Sequence, residues 1–157
     1  MTPAVQKYIK DLVKIGVIKP PILDVGSYNV NGSVRDLVPQ NGFIGIDMRA
    51  GPGVDFVIDI TDPPTKPLFA RNFTTVTCVE TLEHVKNLFM AICEMYHFMI
   101  PGGYLVLAIP GIGFPLHNYP DDYWRVTESG MKYLLAAFID VVVTKDGDHV
   151  YGYGKKM

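Results

Sequence analysis

Cysteine and net charge are both in short supply in this 157-residue chain, which has two Cys and 14 basic against 16 acidic side chains, a formal charge of −2. Cys78 and Cys93 are too few for a disulfide framework and lack the CxxC spacing of structural zinc sites. Their apolar surroundings predict buried, reduced thiols. The near balance of charge removes any broad attraction to nucleic acid or to an anionic membrane and leaves only a local patch at Lys7, Lys10 and Lys14. Long apolar runs are missing too. The most apolar stretch, 104–116, is broken by Pro110, Gly111, Gly113 and Pro115 and is too short to span a bilayer as a helix. Charge begins at Lys7 with no apolar run behind it, which argues against a secretory leader and for a cytoplasmic protein. Repeats and low-complexity tracts are absent.

What is present is ample apolar content, 48% of residues, enough for the core of one domain over 1–157. Val5, Tyr8, Ile9, Leu12 and Val13 recur at helical spacing, which predicts an amphipathic opening helix ended by Pro20 and Pro21. Apolar runs at Ile22 to Val25, Gly42 to Asp47, Asp55 to Ile60, Phe73 to Val79 and Tyr104 to Ile109 predict five strands. Ser33 to Val38 fits a short helix. Val85 to Ile100 carries Leu88, Ile92, Met95, Tyr96 and Met99 on one face and predicts a long helix stopped by Pro101 and Gly102. Glu128 to Phe138 predicts another, started by Thr127. Ile139 to Thr144 and His149 to Tyr153 read as a closing hairpin centred on Asp146-Gly147. Strands alternating with helices imply an α/β fold: a doubly wound, mostly parallel sheet with helices on both faces and an antiparallel C-terminal edge. Met48 to Val54 is too short for a crossover helix, so an irregular link is expected there.

In an open α/β sheet the ligand site lies beyond the carboxyl ends of the strands where strand order reverses. Asp24-Val25-Gly26-Ser27 stands at the end of the first strand, where a glycine permits a sharp turn and brings backbone N–H groups close to a ligand. The dinucleotide fingerprint GxGxxG would need glycine at Tyr28, and a Walker loop would need lysine at Ser33, so neither nucleotide motif is met. A nicotinamide-dependent oxidoreductase is disfavoured on that ground. Asp47 ends the second strand where a carboxylate can accept both hydroxyls of a ribose, and Asp59 has the analogous place on the third.

Taken in order, Ile22 to Ser27 (ILDVGS), Gly45 to Asp55 (GIDMRAGPGVD), Val79 to Val85 (VETLEHV) and Pro101 to Leu105 (PGGYL) resemble class I S-adenosylmethionine-dependent methyltransferases, closest to the compact type-11-like domains. The resemblance runs from about Pro21 to Phe138, with Tyr28 and Val30 standing where that family usually has further glycines. It implies a Rossmann-like, seven-stranded sheet and S-adenosylmethionine as cofactor. By the same resemblance Asp24, Gly26 and Ser27 would border the methionine part and Asp47 would hold the ribose. Met48 would pack on adenine, Asp59 with Ile60 would meet the adenine edge, and Glu80 and Thr81 would face the sulfonium.

Glu80, Glu83 and His84 could share one helical face, as metal ligands do, but with one histidine in the cluster no metal site is expected, and Glu83 suits a first-turn charge on the long helix. The segment His117 to Arg125 packs aromatics, carboxylates, a histidine and an arginine into nine positions, and similar strings follow the fifth strand in the methyltransferase-like family. His117 is the first candidate for a general base towards a hydroxyl acceptor, with Asp121 or Asp122 next. An equally weighted reading makes the segment a lid, with Tyr119 and Trp124 packed on the sheet and Arg125 paired to Asp121 or Asp122. The expected function is methyl transfer to a small-molecule acceptor, with nucleic acid disfavoured and oligomeric state unassigned. The alternative is a non-catalytic cofactor-binding module or a subunit of a larger assembly.

Overall fold

The structure is a computed structural model and describes residues 1–61, 72–118 and 121–157. Thr2 opens the first helix: its Oγ1 accepts the Val5 N–H at 3.3 Å, and Pro3 takes the first helical position, where no N–H is needed. Helix α1 (Pro3–Lys14) buries Val5, Ile9 and Leu12. It stops well before Pro20 and Pro21, because Gly16 turns the chain at a φ of +76°.

Among the described residues seven strands follow: β1 (Ile22–Val25), β2 (Phe43–Asp47), β3 (Phe56–Val57), β4 (Phe73–Val79), β5 (Met99–Pro110), β6 (Ile139–Asp146) and β7 (His149–Lys155), standing in the order β3-β2-β1-β4-β5-β7-β6. The first five pair parallel, β7 runs antiparallel to β5, and β6 antiparallel to β7. This is the expected doubly wound sheet with an antiparallel edge, and its strand order reverses between β1 and β4. The pleat sends alternate side chains to opposite faces. Ile22, Val106 and Ala108 meet α1 on one face, and Leu23, Val25, Leu105, Leu107 and Ile109 form the other core with helices α2 (Leu88–Phe98) and α3 (Glu128–Leu134).

Several boundaries differ from the sequence reading. The third strand is only Phe56–Val57, paired with Ile46 and Asp47, and Met48 to Val54 is indeed irregular. The expected helix over Ser33 to Val38 is a short 3-10 turn, Val34–Leu37. Helix α2 begins at Leu88, where Asn87 Oδ1 accepts the Met90 N–H at 3.1 Å, and the residues before it form a separate 3-10 turn, Leu82–His84. It ends at Phe98, and β5 starts at once at Met99, running through Pro101 and Gly102. Helix α3 is shorter than expected at its C-terminal end. Asp146 pairs with His149, so the hairpin turn is Gly147-Asp148, one residue later than expected. Cys78 is buried, but Cys93 lies on the outward face of α2, in contrast to the expectation of two buried thiols. Among the described residues no helix is long and apolar enough to cross a membrane.

Phe98 is fully buried at the end of α2, in the core shared with β4 and β5. Phe98→Ala is expected to lower unfolding stability by about 3–5 kcal/mol, read as a lower urea midpoint at unchanged slope.

Candidate active site

The carboxyl ends of β1, β2 and β4, with the loop after β5, surround a cavity of about 740 Å³, within the usual size of small-molecule sites. Its floor is set by one turn. Gly26 follows β1 at a φ of +81°, and a Cβ there would stand 2.0 Å from Thr81 Oγ1. The Gly26 and Ser27 N–H groups both donate to Ile46 O, at 2.9 and 3.0 Å, which pins the loop to β2. Tyr28 is accommodated sideways: its ring covers Gly51, where a Cβ would meet it at 2.1 Å, and Arg49 lies 5.0 Å from the ring centre.

Asp47, Met48, Asp59, Ile60, Glu80 and Thr81 all line the cavity, together with Gly26. Asp47 accepts the Tyr28 N–H on Oδ2 at 3.3 Å and the Arg49 N–H on Oδ1 at 3.0 Å, which fixes the carboxylate at the strand end with lone pairs to spare. Asp59 Oδ1 accepts the Thr61 N–H and hydroxyl. Met48 is 59% exposed at the mouth. Asp24 and Ser27 are set further back, in a recess of about 110 Å³ that shares Gly26, Tyr28 and Glu80 with the main cavity. Among the described residues Ser27 Oγ has no hydrogen-bond partner. Burial pushes the Asp24 carboxyl up to about 7 despite the hydrogen bond donated by Thr77 Oγ1 at 2.7 Å.

Glu80 has a left-handed backbone, φ +49°, which is strained for a residue with a Cβ and is held by its N–H donating to Ala108 O at 2.8 Å. Its Oε1 meets His149 Nε2 at 2.7 Å, and its Oε2 lies 3.5 Å from the Met1 ammonium. Burial raises the Glu80 pKa, but the hydrogen bond to His149 and the nearby Met1 ammonium outweigh it and hold the carboxyl below its ordinary value. His149 escaped sequence reasoning. The signal was its place at the start of the terminal strand: β7 runs against β5, so its first residue, opposite Pro110, lies at the rim where the parallel strands end.

The acceptor-side segment is held by many ties. Arg125 forks onto Asp122, with Nη2 donating to Oδ2 at 2.6 Å, and also donates to Phe114 O and Pro115 O. Asp122 further accepts the His117 N–H at 2.8 Å. The Arg125 fork, helped by that N–H, holds the Asp122 carboxyl down to about 2. The segment is stitched to the turn after β4: the Tyr123 N–H donates to Glu83 O at 2.7 Å, Trp124 Nε1 to Val85 O at 2.8 Å, and His84 Nδ1 to Asp121 O at 2.5 Å. His117, Asp121 and Tyr123 face the cavity, whereas Tyr119 lies outside the described residues. Met1 and Thr2, at the start of α1, complete the wall. Glu83 is not a surface first-turn charge. It is fully buried in its 3-10 turn, and burial, reinforced by Glu80 and Asp122, pushes its carboxyl up to about 8.

A family model described as a methyltransferase domain matches residues 33–107. No curated protein matches the chain. Among solved structures, a S-adenosylmethionine-dependent methyltransferase from Thermotoga maritima, described as a possible histamine N-methyltransferase, aligns at TM-score 0.73 and 18% identity, over 97% of this chain and 89% of that one. A S-adenosylmethionine-dependent methyltransferase from Archaeoglobus fulgidus aligns at 0.72 and 17%, over 96% and 94%. The 1,6-didemethyltoxoflavin-N1-methyltransferase of Burkholderia thailandensis, solved with its substrate and S-adenosylhomocysteine, aligns at 0.73 and 14%, over 98% and 79%. The chain spans about half the length, 53% and 52%, of the CurJ carbon methyltransferase and the citrinin polyketide synthase methyltransferase domain that it also matches. At these identities the likeness is one of fold.

The raised Asp24 pKa has a testable sign. A carboxyl whose pKa rises on folding binds its proton more tightly in the native state, so stability is highest below the unfolded value of about 4. It falls as pH climbs to about 7 and then levels. Urea midpoints from pH 4 to 8 should show this decline in the wild type and a shallower one in Asp24→Asn, where buried Glu83 still contributes its own fall.

Proposed function

We propose that this chain, a methyltransferase domain of the class I fold, binds S-adenosylmethionine in the cavity beyond β1, β2 and β4 and transfers its methyl group to a small-molecule acceptor. The observation that carries the reading is the row of carboxylates at successive strand ends, Asp24, Asp47, Asp59 and Glu80, around a glycine turn with no space for a side chain. The donor set fits the cofactor. Asp47, fixed by two backbone N–H groups, takes the ribose hydroxyls. Exposed Met48 packs on adenine, and Asp59 with buried Ile60 meets the adenine edge. The recess with Asp24, Gly26 and Ser27 takes the amino-acid end, where the orphaned Ser27 Oγ finds a partner and an incoming ammonium keeps Asp24 ionised. Glu80 and Thr81 stand on the sulfonium side.

Bound S-adenosylmethionine supplies an electrophilic methyl group, so this chain's own work is to align an acceptor and manage one proton. His117 and Asp121 reach the acceptor side, and His117 takes the proton of a hydroxyl acceptor. Asp122, held ionised and engaged by Arg125, is a poor proton acceptor and serves as the tie of the loop. Charge balance supports a small molecule rather than nucleic acid, and two unpaired thiols support a reducing, cytoplasmic setting. We assign the chain one domain over 1–157.

Saturating S-adenosylhomocysteine should raise the melting temperature, with about 2.7 kcal/mol of linkage at a hundredfold excess over Kd. Asp47→Ala removes charge-assisted bonds and should weaken that binding about 10- to 100-fold. His117→Ala should keep the thermal shift but slow transfer from labelled S-adenosylmethionine to hydroxyl acceptors in a metabolite extract, by about 10²- to 10⁴-fold. Absence of any shift at millimolar ligand would sink the cofactor assignment.

A further inference from the structure

Glu83 presents a problem that the methyl-transfer reading leaves unsolved. Its side chain is fully buried, and among the described residues neither carboxylate oxygen has a hydrogen-bond partner outside Glu83 itself. Orphaned buried carboxylates are costly, and each calls for an explanation. Two imidazoles from different parts of the chain converge on it: His84 Nε2 and His117 Nε2 each lie 3.7 Å from Glu83 Oε1. Their rings meet edge to face, with centroids 4.9 Å apart. One donor atom from each of the three residues lies within 4.8 Å of the others.

The tautomers follow from the neighbours. His84 Nδ1 faces a backbone carbonyl, Asp121 O at 2.5 Å, which can only accept, so Nδ1 carries a proton and Nε2 is the nitrogen left for an ion. His117 turns Nδ1 towards Asp122 Oδ2 at 3.4 Å, and Asp122 is itself locked by Arg125. Both rings direct Nε2 inward; an acceptor bound at Nδ1 orients His84 from behind, as outer partners do for metal-bound histidines, and the Asp122 carboxylate stands near Nδ1 of His117.

We propose that Glu83, His84 and His117 bind a divalent transition-metal ion, with Glu83 Oε1 and the two Nε2 atoms as ligands. Two imidazoles and one carboxylate are a donor set used by zinc in catalytic sites, where a further position stays open. Donors about 2.0–2.1 Å from such an ion are about 3.3 Å from one another, so the two 3.7 Å separations from Glu83 Oε1, with all three donors within 4.8 Å, describe a set that must close in around the ion. His84 and His117 line the cavity, which places the open position on its acceptor side. Resting on the methyl-transfer reading, an oxygen acceptor bound there would give up its proton to solvent water more readily, leaving the alkoxide to take the methyl group. In the metal-loaded protein this effect replaces the base role of His117.

The test uses chelator-treated, full-length Cys93→Ser protein, because Cys93, Glu94 and His97 form a second group of donors on α2. Titration with Co²⁺ should give a saturable visible absorption at one equivalent, displaced by Zn²⁺, and Zn²⁺ should raise the melting temperature. Adding Glu83→Gln or His117→Ala should weaken Co²⁺ binding at least about 100-fold, beyond the usual effect of an outer-shell change. Both variants should still be stabilised by S-adenosylhomocysteine without metal, which verifies their fold and tests the cofactor cavity separately. No saturable absorption, or absorption that survives both substitutions, overturns the metal site.

Discussion

The first strand must leave the sheet between two parallel neighbours, and the space allowed for that exit is smaller than a methyl group. At Gly26 the backbone takes a left-handed conformation, a Cβ would collide with Thr81, and two successive N–H groups converge on Ile46 O. This one turn therefore ties together the ends of β1, β2 and β4. Asp47 can bind the Tyr28 N–H only because the loop is held against β2, and Thr81 holds its place because nothing projects from Gly26. The floor of the cavity, the aim of its carboxylates and the sideways path of Tyr28 over Gly51 all follow from it.

Much of this was legible in the sequence where a segment's pattern reports its own burial. β1 and β4 matched their apolar runs residue for residue, since strands in the middle of a sheet are covered on both faces. β3 was read too long: its apolar residues continue to Ile60, but only two of them find ladder partners at the sheet edge. The start of α2 was misplaced for a different reason. A helix beginning at Val85 would use the Val85 carbonyl for the Phe89 N–H, and that carbonyl accepts instead from Trp124 Nε1, on a loop almost forty residues away. Glu83 was misjudged with it, since its burial depends on the same distant loop. The match to the methyltransferase-domain model begins at residue 33, just past the loop where Tyr28 and Val30 depart from the usual glycines.

The acids of the site divide by environment. Arg125 keeps Asp122 charged, and His149 helps to keep Glu80 charged, whereas burial drives Asp24 and Glu83 towards their neutral forms near neutral pH. Buried acids with strongly raised pKa values cluster at functional sites because they await a positive partner. In the proposed binding mode Asp24 would receive the cofactor's ammonium, and Glu83 would share a cation with the two imidazoles that face it. The acceptor-side loop serves both: its ties bring His117 to Glu83 and keep the cavity wall in register with the strand ends.

The central claim is that this cavity accepts S-adenosylmethionine and not a dinucleotide. Equilibrium dialysis of the purified chain with labelled S-adenosylmethionine tests it directly, with unlabelled S-adenosylhomocysteine and NAD as competitors. The account predicts a single saturable site, displaced by S-adenosylhomocysteine and indifferent to NAD. Absence of saturable binding, or displacement by NAD, would contradict it.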